Sequence, residues 1–344
     1  MFAPRPDTTE DVVYARQGVL GRVRLNRPRA INALTHPMVR SLRAQLADWA
    51  GDDTVGAVVI DGAGDRGLCS GGDVRMIRQA IMDGAADPAA FWVDEYRLNA
   101  QIAHYPKPVV SVMDGVTMGG GVGLAGFASV RIATVRSRIA MPETAIGFFP
   151  DVGGRYLLSR APGELGTHLG LTGLPVGGAD AVRAGLADVV ADPDRLPAVL
   201  DGWADGRTPT AETVAELAPV ADPPAETADN RAWIDRCYQG DDPAAILAAL
   251  RADPDERARR AGEVVASRAP LSVAVTLEGL RRAARLDLDA VLAQDLVLGR
   301  AFLDNPDFVE GVRAVLVDRD PHPKWQHSAL SEVDPGLVKR IFEG

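Results

Sequence analysis

Three short apolar runs constrain the fold most: Ala57-Val58-Val59-Ile60, Pro108-Val109-Val110-Ser111-Val112 and Val130-Arg131-Ile132-Ala133. The first two are followed by Asp-Gly, at Asp61-Gly62 and Asp114-Gly115. A run that does not alternate with polar residues reads as a strand covered on both faces, which is the habit of parallel sheets flanked by helices. Between the first two runs, Asp87-Pro88 opens a helix through Trp92, Glu95, Leu98 and Ile102 that stops before Pro106. Strands separated by helices predict an α/β core.

Earlier in the chain, Val12-Val13-Tyr14 and Val19 to Leu25 read as a hairpin hinged at Gln17-Gly18 and ended by Asn26-Arg27-Pro28. Pro37 then opens a helix whose Met38, Leu42, Leu46 and Trp49 recur at helical spacing. Beyond the segment from Asp180 to Val190 the texture changes. Thr208 to Thr227 is rich in Ala, Pro, Glu and Thr, and helices are expected over 243–250, 254–268, 270–286 and 288–303. A boundary near residue 205 divides a core of residues 1–205, which carries the candidate site, from a helical carboxy-terminal region of residues 206–344.

A net charge of −10 argues against nucleic acid or an anionic membrane as a general partner, so an anionic ligand must find local positive charge. The only two cysteines, Cys69 and Cys237, lie far apart and suggest neither a disulfide framework nor a zinc site. No run reaches the ~18 apolar residues of a membrane span, and the first ten residues have no apolar core of a secretory signal. The expectation is a cytoplasmic protein. His36, His104, His168, His322 and His327 show no metal-ligand spacing, and there is no Gly-x-Ser-x-Gly elbow.

Chemistry is concentrated in Ile139 to Arg155, where Glu143 and Asp151 are the only acids in an apolar run punctuated by Pro and Gly. Desolvation suits a carboxylate to proton transfer or nucleophilic attack, although acids beside such turns also cap helices or bond loop amides. Two glycine turns, Leu68-Cys69-Ser70-Gly71-Gly72-Asp73 and Met118-Gly119-Gly120-Gly121-Val122-Gly123, each follow a predicted strand and precede a helix. Backbone amides near Gly72 and Gly120 could hold a developing oxyanion, or the glycines could simply serve tight turns and close packing.

The conjunction is more specific than its parts. Leu25-Asn26-Arg27-Pro28, Ala30-Ile31-Asn32-Ala33-Leu34, Cys69 to Asp73, Gly115 to Gly123 and Met141 to Gly147 occur in an order and spacing that resembles the crotonase (enoyl-CoA hydratase/isomerase) superfamily. Phe149-Pro150-Asp151-Val152-Gly153-Gly154, Glu95-Tyr96, Asp307 to Asp320 and Pro323-Lys324-Trp325 are similar to a branch of it that hydrolyses short 3-hydroxyacyl-CoA thioesters. The match covers nearly the whole chain and is weakest between about Pro197 and Pro243.

The resemblance implies a crotonase-like ββα spiral core with a helical carboxy-terminal region. It implies that the Gly72 and Gly120 amides polarise the thioester carbonyl, that Glu143 and Asp151 are the catalytic acids, and that Glu95 contacts substrate along with Gly120, Glu143 and Asp151. For CoA it points to Arg29, Ala30, Asn32 and Lys324, with Arg27 and Arg66 as further cations. The implied partner is an acyl-CoA, foremost 3-hydroxyisobutyryl-CoA from valine breakdown, with room for a homo-oligomer. No cofactor is implied beyond the coenzyme A carried by the substrate, and no metal. Typical hydratases of the superfamily have a glutamate where this chain has Gly123. Two alternatives stand beside hydrolysis: enoyl-CoA hydration or isomerisation, and a non-catalytic acyl-CoA-binding subunit.

Overall fold

A computed structural model describes residues 1–223, 225 and 230–343. Part of the Ala/Pro-rich stretch, at 224 and 226–227, therefore lies outside the described residues. Among the described residues nine strands form two sheets: β1 (Val12–Gln17), β2 (Leu20–Leu25), β3 (Ala57–Gly62), β4 (Gly67–Cys69), β5 (Val109–Met113), β6 (Val116–Met118), β7 (Val130–Thr134), β8 (Arg138–Ala140) and β9 (Val189–Ala191). The larger sheet runs β1-β2-β3-β5-β7-β9 and the smaller β4-β6-β8. Only β1 and β2 pair antiparallel in the larger sheet, which is the expected hairpin, with Val12 opposite Leu25 and Gln17 opposite Leu20. Its other pairs are parallel. The three apolar runs are β3, β5 and β7, and the first four residues of β3 and all of β5 are buried.

Helix formation follows the expected signals closely. Helix His36–Ala50 is entered through Thr35, whose hydroxyl accepts from the Met38 amide, and buries Met38, Leu42, Leu46 and Trp49. Helices at Ala90–Ala103, Pro243–Ala252, Pro270–Ala283 and Leu288–Leu303 stand where proline or an acidic turn announced them. The helix expected from Pro254 begins at Glu256 instead, because the Asp255 carboxylate caps the Arg257 amide and takes the N-cap position. No helix of the described residues is long and apolar enough to cross a membrane.

The chain packs into two compact units made of interleaved segments, the first from 1–72, 94–139 and 176–226, the second from 73–93, 140–175 and 227–344. Residue 205 falls inside the last segment of the first unit. There Val199 and Trp203 before it and Val214 and Ala218 after it share one apolar cluster with Leu20, Val59, Val110 and Ile132 of the larger sheet.

In the second unit, helix Leu165–Thr172 carries His168, whose Nδ1 lies 2.9 Å from the Tyr238 hydroxyl. The Trp233 and Tyr238 rings stand edge-on to it, at 5.3 and 5.2 Å between centroids. Burial pushes this imidazole down from its usual 6.5 to about 4. Between those values the unfolded chain binds a proton that the folded chain refuses, so stability should fall as pH drops from 6.5 towards 4, by up to ~1.4 kcal/mol per pH unit. Denaturant titrations at pH 7, 6 and 5 on the parent and on His168→Gln test this: the parent should lose stability more steeply, and parallel curves would assign the proton elsewhere.

Candidate active site

The first unit supplies the two glycine turns. After β4 the chain is laced to the loop at 30–34: the Ser70 amide donates to the Ile31 carbonyl at 2.9 Å, Ser70 Oγ donates to the Ala30 carbonyl at 3.1 Å, and the Leu34 amide donates to the Gly71 carbonyl at 2.9 Å. After β6, Gly119 adopts φ +51° and turns the chain into the short helix Gly120–Ala125. Gly120 opens that helix, so its N–H has no carbonyl one turn back to bond. A Cβ built on Gly120 would lie 3.2 Å from the Gly72 nitrogen and 3.3 Å from Leu34 Cδ1, and would press into Glu95 Oε1. The two expected amide donors and the expected substrate-contacting carboxylate are thus neighbours, and a side chain at position 120 would enter the space between them. Glu95 itself is buried on helix Ala90–Ala103.

Sequence reasoning missed what holds the 30–34 loop. Ile31 and Asn32 both take left-handed backbone, at φ +47° and +55°, directly after the 3-10 turn Pro28–Ala30. Asn32 is fully buried: its Oδ1 accepts the Arg27 amide at 2.9 Å and its Nδ2 donates to the carbonyls of Ala63 and Gly67 at 3.1 and 3.0 Å. Its side chain braces the turn that presents Arg29 and Ala30. Arg29 and Arg66 are exposed, and Arg66 Nη1 reaches the Arg29 carbonyl at 3.5 Å. Cys69, beside the first glycine turn, is buried, and desolvation pushes its thiol up to about 12.

The second unit supplies Glu143 and Asp151. Glu143 opens the 3-10 turn Glu143–Ile146, whose end is closed by the Phe148 amide on the Glu143 carbonyl at 3.1 Å. The neighbouring Thr144 carbonyl accepts the Ala269 amide at 3.2 Å, which ties the turn to helix Pro270–Ala283. Glu143 and Asp151 are each 6% exposed. Phe148 stacks on Phe149 and Trp92, with centroids 4.5 and 5.0 Å apart, and meets Phe302 and Phe308 at 5.5 and 5.2 Å. This aromatic cluster keeps water from the stretch between the two acids. Lys324 also belongs to this unit; its side chain is exposed, and its backbone amide donates to Glu310 Oε1 at 2.7 Å.

Asp151 is positioned by a pair that no local motif announces. The turn after it runs through Val152 at φ +50° and Gly153 at φ +74°, and the Gly154 amide returns to the Asp151 carbonyl at 2.6 Å. The Gly153 amide donates to Asp295 Oδ2 at 2.8 Å. Arg155 places Nε and Nη2 on Asp295 Oδ1 at 3.0 and 2.5 Å and Nη1 on Gln294 Oε1 at 2.8 Å, with the Arg155 and Asp295 side chains both wholly buried. Sequence offered only Arg155 at the end of the Asp151 motif, and its acid lies 140 residues on.

Comparison with known proteins follows the same lines. A family model described as Enoyl-CoA hydratase/isomerase matches residues 20–342. The chain is 37% identical to a Danio rerio protein described as "3-hydroxyisobutyryl-CoA hydrolase, mitochondrial", over 96% of this chain and 89% of the relative. It is 36% identical to the Homo sapiens protein of the same description, over 98% and 89%. Among solved structures it is similar to a carnitinyl-CoA dehydratase from Mycobacterium thermoresistibile, with 46% identity, a TM-score of 0.91, and coverage of 97% of this chain and 96% of the other. An enoyl-CoA hydratase from Rhodobacter sphaeroides 2.4.1 gives 38% identity and a TM-score of 0.90, with 97% of each covered.

The buried Arg155–Asp295 pair generates a prediction about stability. Asp295→Asn should cost about 3–5 kcal/mol, because it leaves the Arg155 guanidinium buried with no counter-charge, while Arg155→Met combined with Asp295→Leu should cost much less. Chemical denaturation of the three proteins measures this, and a single variant no worse than the double one would contradict it.

Proposed function

The chain belongs to the enoyl-CoA hydratase/isomerase family, and from that premise we propose that it hydrolyses a short 3-hydroxyacyl-CoA thioester, 3-hydroxyisobutyryl-CoA, to the free hydroxy acid and CoA. The observation that carries this reading is the distribution of acids. The helix Gly120–Ala125, Gly-Gly-Val-Gly-Leu-Ala, holds no carboxylate at Gly123, where the hydratases it resembles carry one of their two glutamates. The segment after β8 instead holds Glu143 and Asp151, both buried. The names of the relatives from Danio rerio and Homo sapiens support the same chemistry.

In this mechanism the Gly72 and Gly120 amides donate hydrogen bonds to the thioester oxygen as negative charge develops on it. Glu143 either attacks the carbonyl carbon, releasing the CoA thiolate and leaving a mixed anhydride for water to cleave, or takes a proton from the attacking water. Asp151 orients that water or Glu143, or bonds the substrate hydroxyl, and Glu95 contacts the acyl group. Arg29, Ala30, Asn32 and Lys324 remain the candidates for holding CoA, Asn32 by bracing its loop. The proposal requires no cofactor. It includes a cytoplasmic setting, which the two free, buried cysteines support, and leaves room for a homo-oligomer. A second reading, gain or loss of water on an enoyl-CoA, rests on the solved relatives described as a carnitinyl-CoA dehydratase and an enoyl-CoA hydratase.

Release of free thiol from 3-hydroxyisobutyryl-CoA, beside hydration of crotonyl-CoA, separates the two readings; turnover of the second substrate alone would overturn the first. Glu143→Gln should lower kcat more than about a hundredfold with the fold intact, a loss of at least ~3 kcal/mol of transition-state stabilisation. Gly120→Ala should also slow turnover sharply, since the added methyl enters the space between the Gly72 amide and Glu95. A single turnover in heavy-oxygen water, followed by mass analysis of the Glu143 peptide, tests the attack: label in the carboxylate requires a mixed anhydride opened at the glutamyl carbonyl.

Specificity gives a further prediction. An apolar pocket distinguishes one methyl by only ~1–3 kcal/mol, so 3-hydroxypropionyl-CoA should be hydrolysed at a reduced, measurable rate. Isobutyryl-CoA lacks the hydroxyl and should fall about a thousandfold or more in kcat/KM, if Glu95 or Asp151 reads that group. Equal values with and without the hydroxyl would make the protein a general short-chain acyl-CoA thioesterase.

A further inference from the structure

Helix His36–Ala50 and the chain from Asp94 to Lys107 both lie in the first unit and are laced together by a row of side-chain bonds. The Lys107 ammonium reaches the carbonyls of Trp49 and Asp52 at 2.6 and 2.7 Å, the Tyr105 hydroxyl donates to the Leu46 carbonyl at 2.7 Å, and Gln101 Nε2 donates to the Arg43 carbonyl at 3.1 Å. These bonds all end on main chain. The row closes at its other end on a charged cluster: Asp94 Oδ2 faces His36 Nε2 at 2.8 Å and Oδ1 accepts from Arg43 Nη1 at 2.7 Å, with Arg97 Nη1 farther off at 3.7 Å. The Asp94 side chain is only 19% exposed, so its pairing escapes much of the screening that weakens surface ion pairs.

The charged end of the row is also the end that carries the candidate site. Glu95 follows Asp94 directly; it is buried, and its Oε1 stands where a Cβ on Gly120 would press. His36 follows Leu34 and Thr35. Leu34 bridges to Gly72, gives its amide to the Gly71 carbonyl at 2.9 Å, and brings its Cδ1 to 3.3 Å from that same Cβ position. A closed circuit results: from Glu95 through Asp94 to His36, along the chain to Leu34, across to the glycine turn, and through Gly72 and Gly120 back to Glu95. Every member of it belongs to the first unit.

A carboxylate beside an oxyanion site must be held in a set place. Too close to the Gly72 and Gly120 amides it opposes the negative charge they would bond, and too far away it loses the acyl group. Side chains extend about 5–6 Å from a helix axis, so a rotation of about 10° moves a carboxylate by about 1 Å, a displacement that can cost about a hundredfold in rate. Burial of Leu98 and Ile102 on the same helix is non-directional, whereas bonds to both oxygens of one carboxylate hold an angle. We propose that Asp94 is a positioning residue for Glu95: clamped between His36 and Arg43, it sets the rotation of its helix and so places the Glu95 carboxylate beside Gly120. Its effect on turnover rests on the reading above, in which Glu95 contacts the acyl group of a thioester under hydrolysis.

Crystal structures of the parent and of Asp94→Ala, together with their rates on 3-hydroxyisobutyryl-CoA, test placement and turnover separately. In Asp94→Ala the Glu95 carboxylate should stand about 1 Å or more from its parent position relative to Gly120, with the Leu34–Gly71 bond kept. kcat/KM should fall at least about tenfold, and Asp94→Asn, whose carboxamide oxygen can still accept from Arg43, should recover most of that loss. In a Glu95→Ala background the loss from Asp94→Ala should shrink to about threefold or less, because the group being placed has gone; a pair that only stiffens the fold would give losses that multiply. If Asp94→Ala does not fold, His36→Ala combined with Arg43→Met releases Asp94 from the other helix and should displace Glu95 in the same way. Glu95 unmoved in the folded variant, or losses that multiply, overturns the proposal. A parent with no turnover, or Glu95→Ala with the parent's rate, overturns instead the reading of Glu95 as a substrate contact, and the crystal comparison then decides its placement by itself.

Discussion

A guanidinium buried out of reach of water must have its counter-charge beside it, and in the second unit that requirement joins segments far apart in the chain. Arg155 on helix Gly154–Leu158 and Asp295 on helix Leu288–Leu303 meet with no exposure of either side chain. The other oxygen of Asp295 takes the Gly153 amide, so one carboxylate fixes both a helix and the turn that follows Asp151. Gly279 on a third helix lets this happen, because a Cβ there would lie 2.6 Å from Arg155 Nη1. The pair is weak as a source of net stability and strong as a constraint on geometry.

The first unit solves a different problem. Beside the Glu95 carboxylate, its contribution to the candidate site is backbone, and backbone amides can face a ligand only where no side chain intervenes and no helical turn precedes them. Gly72 and Gly120 meet the first condition by composition, and at Gly120 the start of the short helix after β6 meets the second by topology. The loop that supports Gly71 and Ser70 is in turn held by Asn32, whose amide takes on three main-chain partners at once.

Legibility in the sequence followed the range of the interaction. β3, β5 and β7 were readable because burial on both faces excludes polar residues locally, and helix His36–Ala50 because cap, proline and apolar stripe lie within one stretch. The glycine turns were readable because steric demand leaves its mark on single residues. The smaller sheet was not, since three-residue strands such as β4, β6 and β8 are too short to show a period. Nor were Asp295 and the bracing role of Asn32, because each depends on partners brought near only by the completed fold. Arg22 and Asp61 look in sequence like ordinary surface charges, and their burial depends on strand register.

The placement of the two cysteines has a consequence for how this protein can be watched. Cys69 lies in the first unit and Cys237 in the second, both buried and unbridged. Desolvation holds the first thiol up at about 12 and the second, which donates to Asp253 Oδ2 at 3.2 Å, at about 11. Since alkylating reagents consume thiolate, neither sulfur reacts at neutral pH until its surroundings open. Each is a native clock for one unit: the rates at which the two are modified record how often each unit breathes, with no engineered probe in the chain.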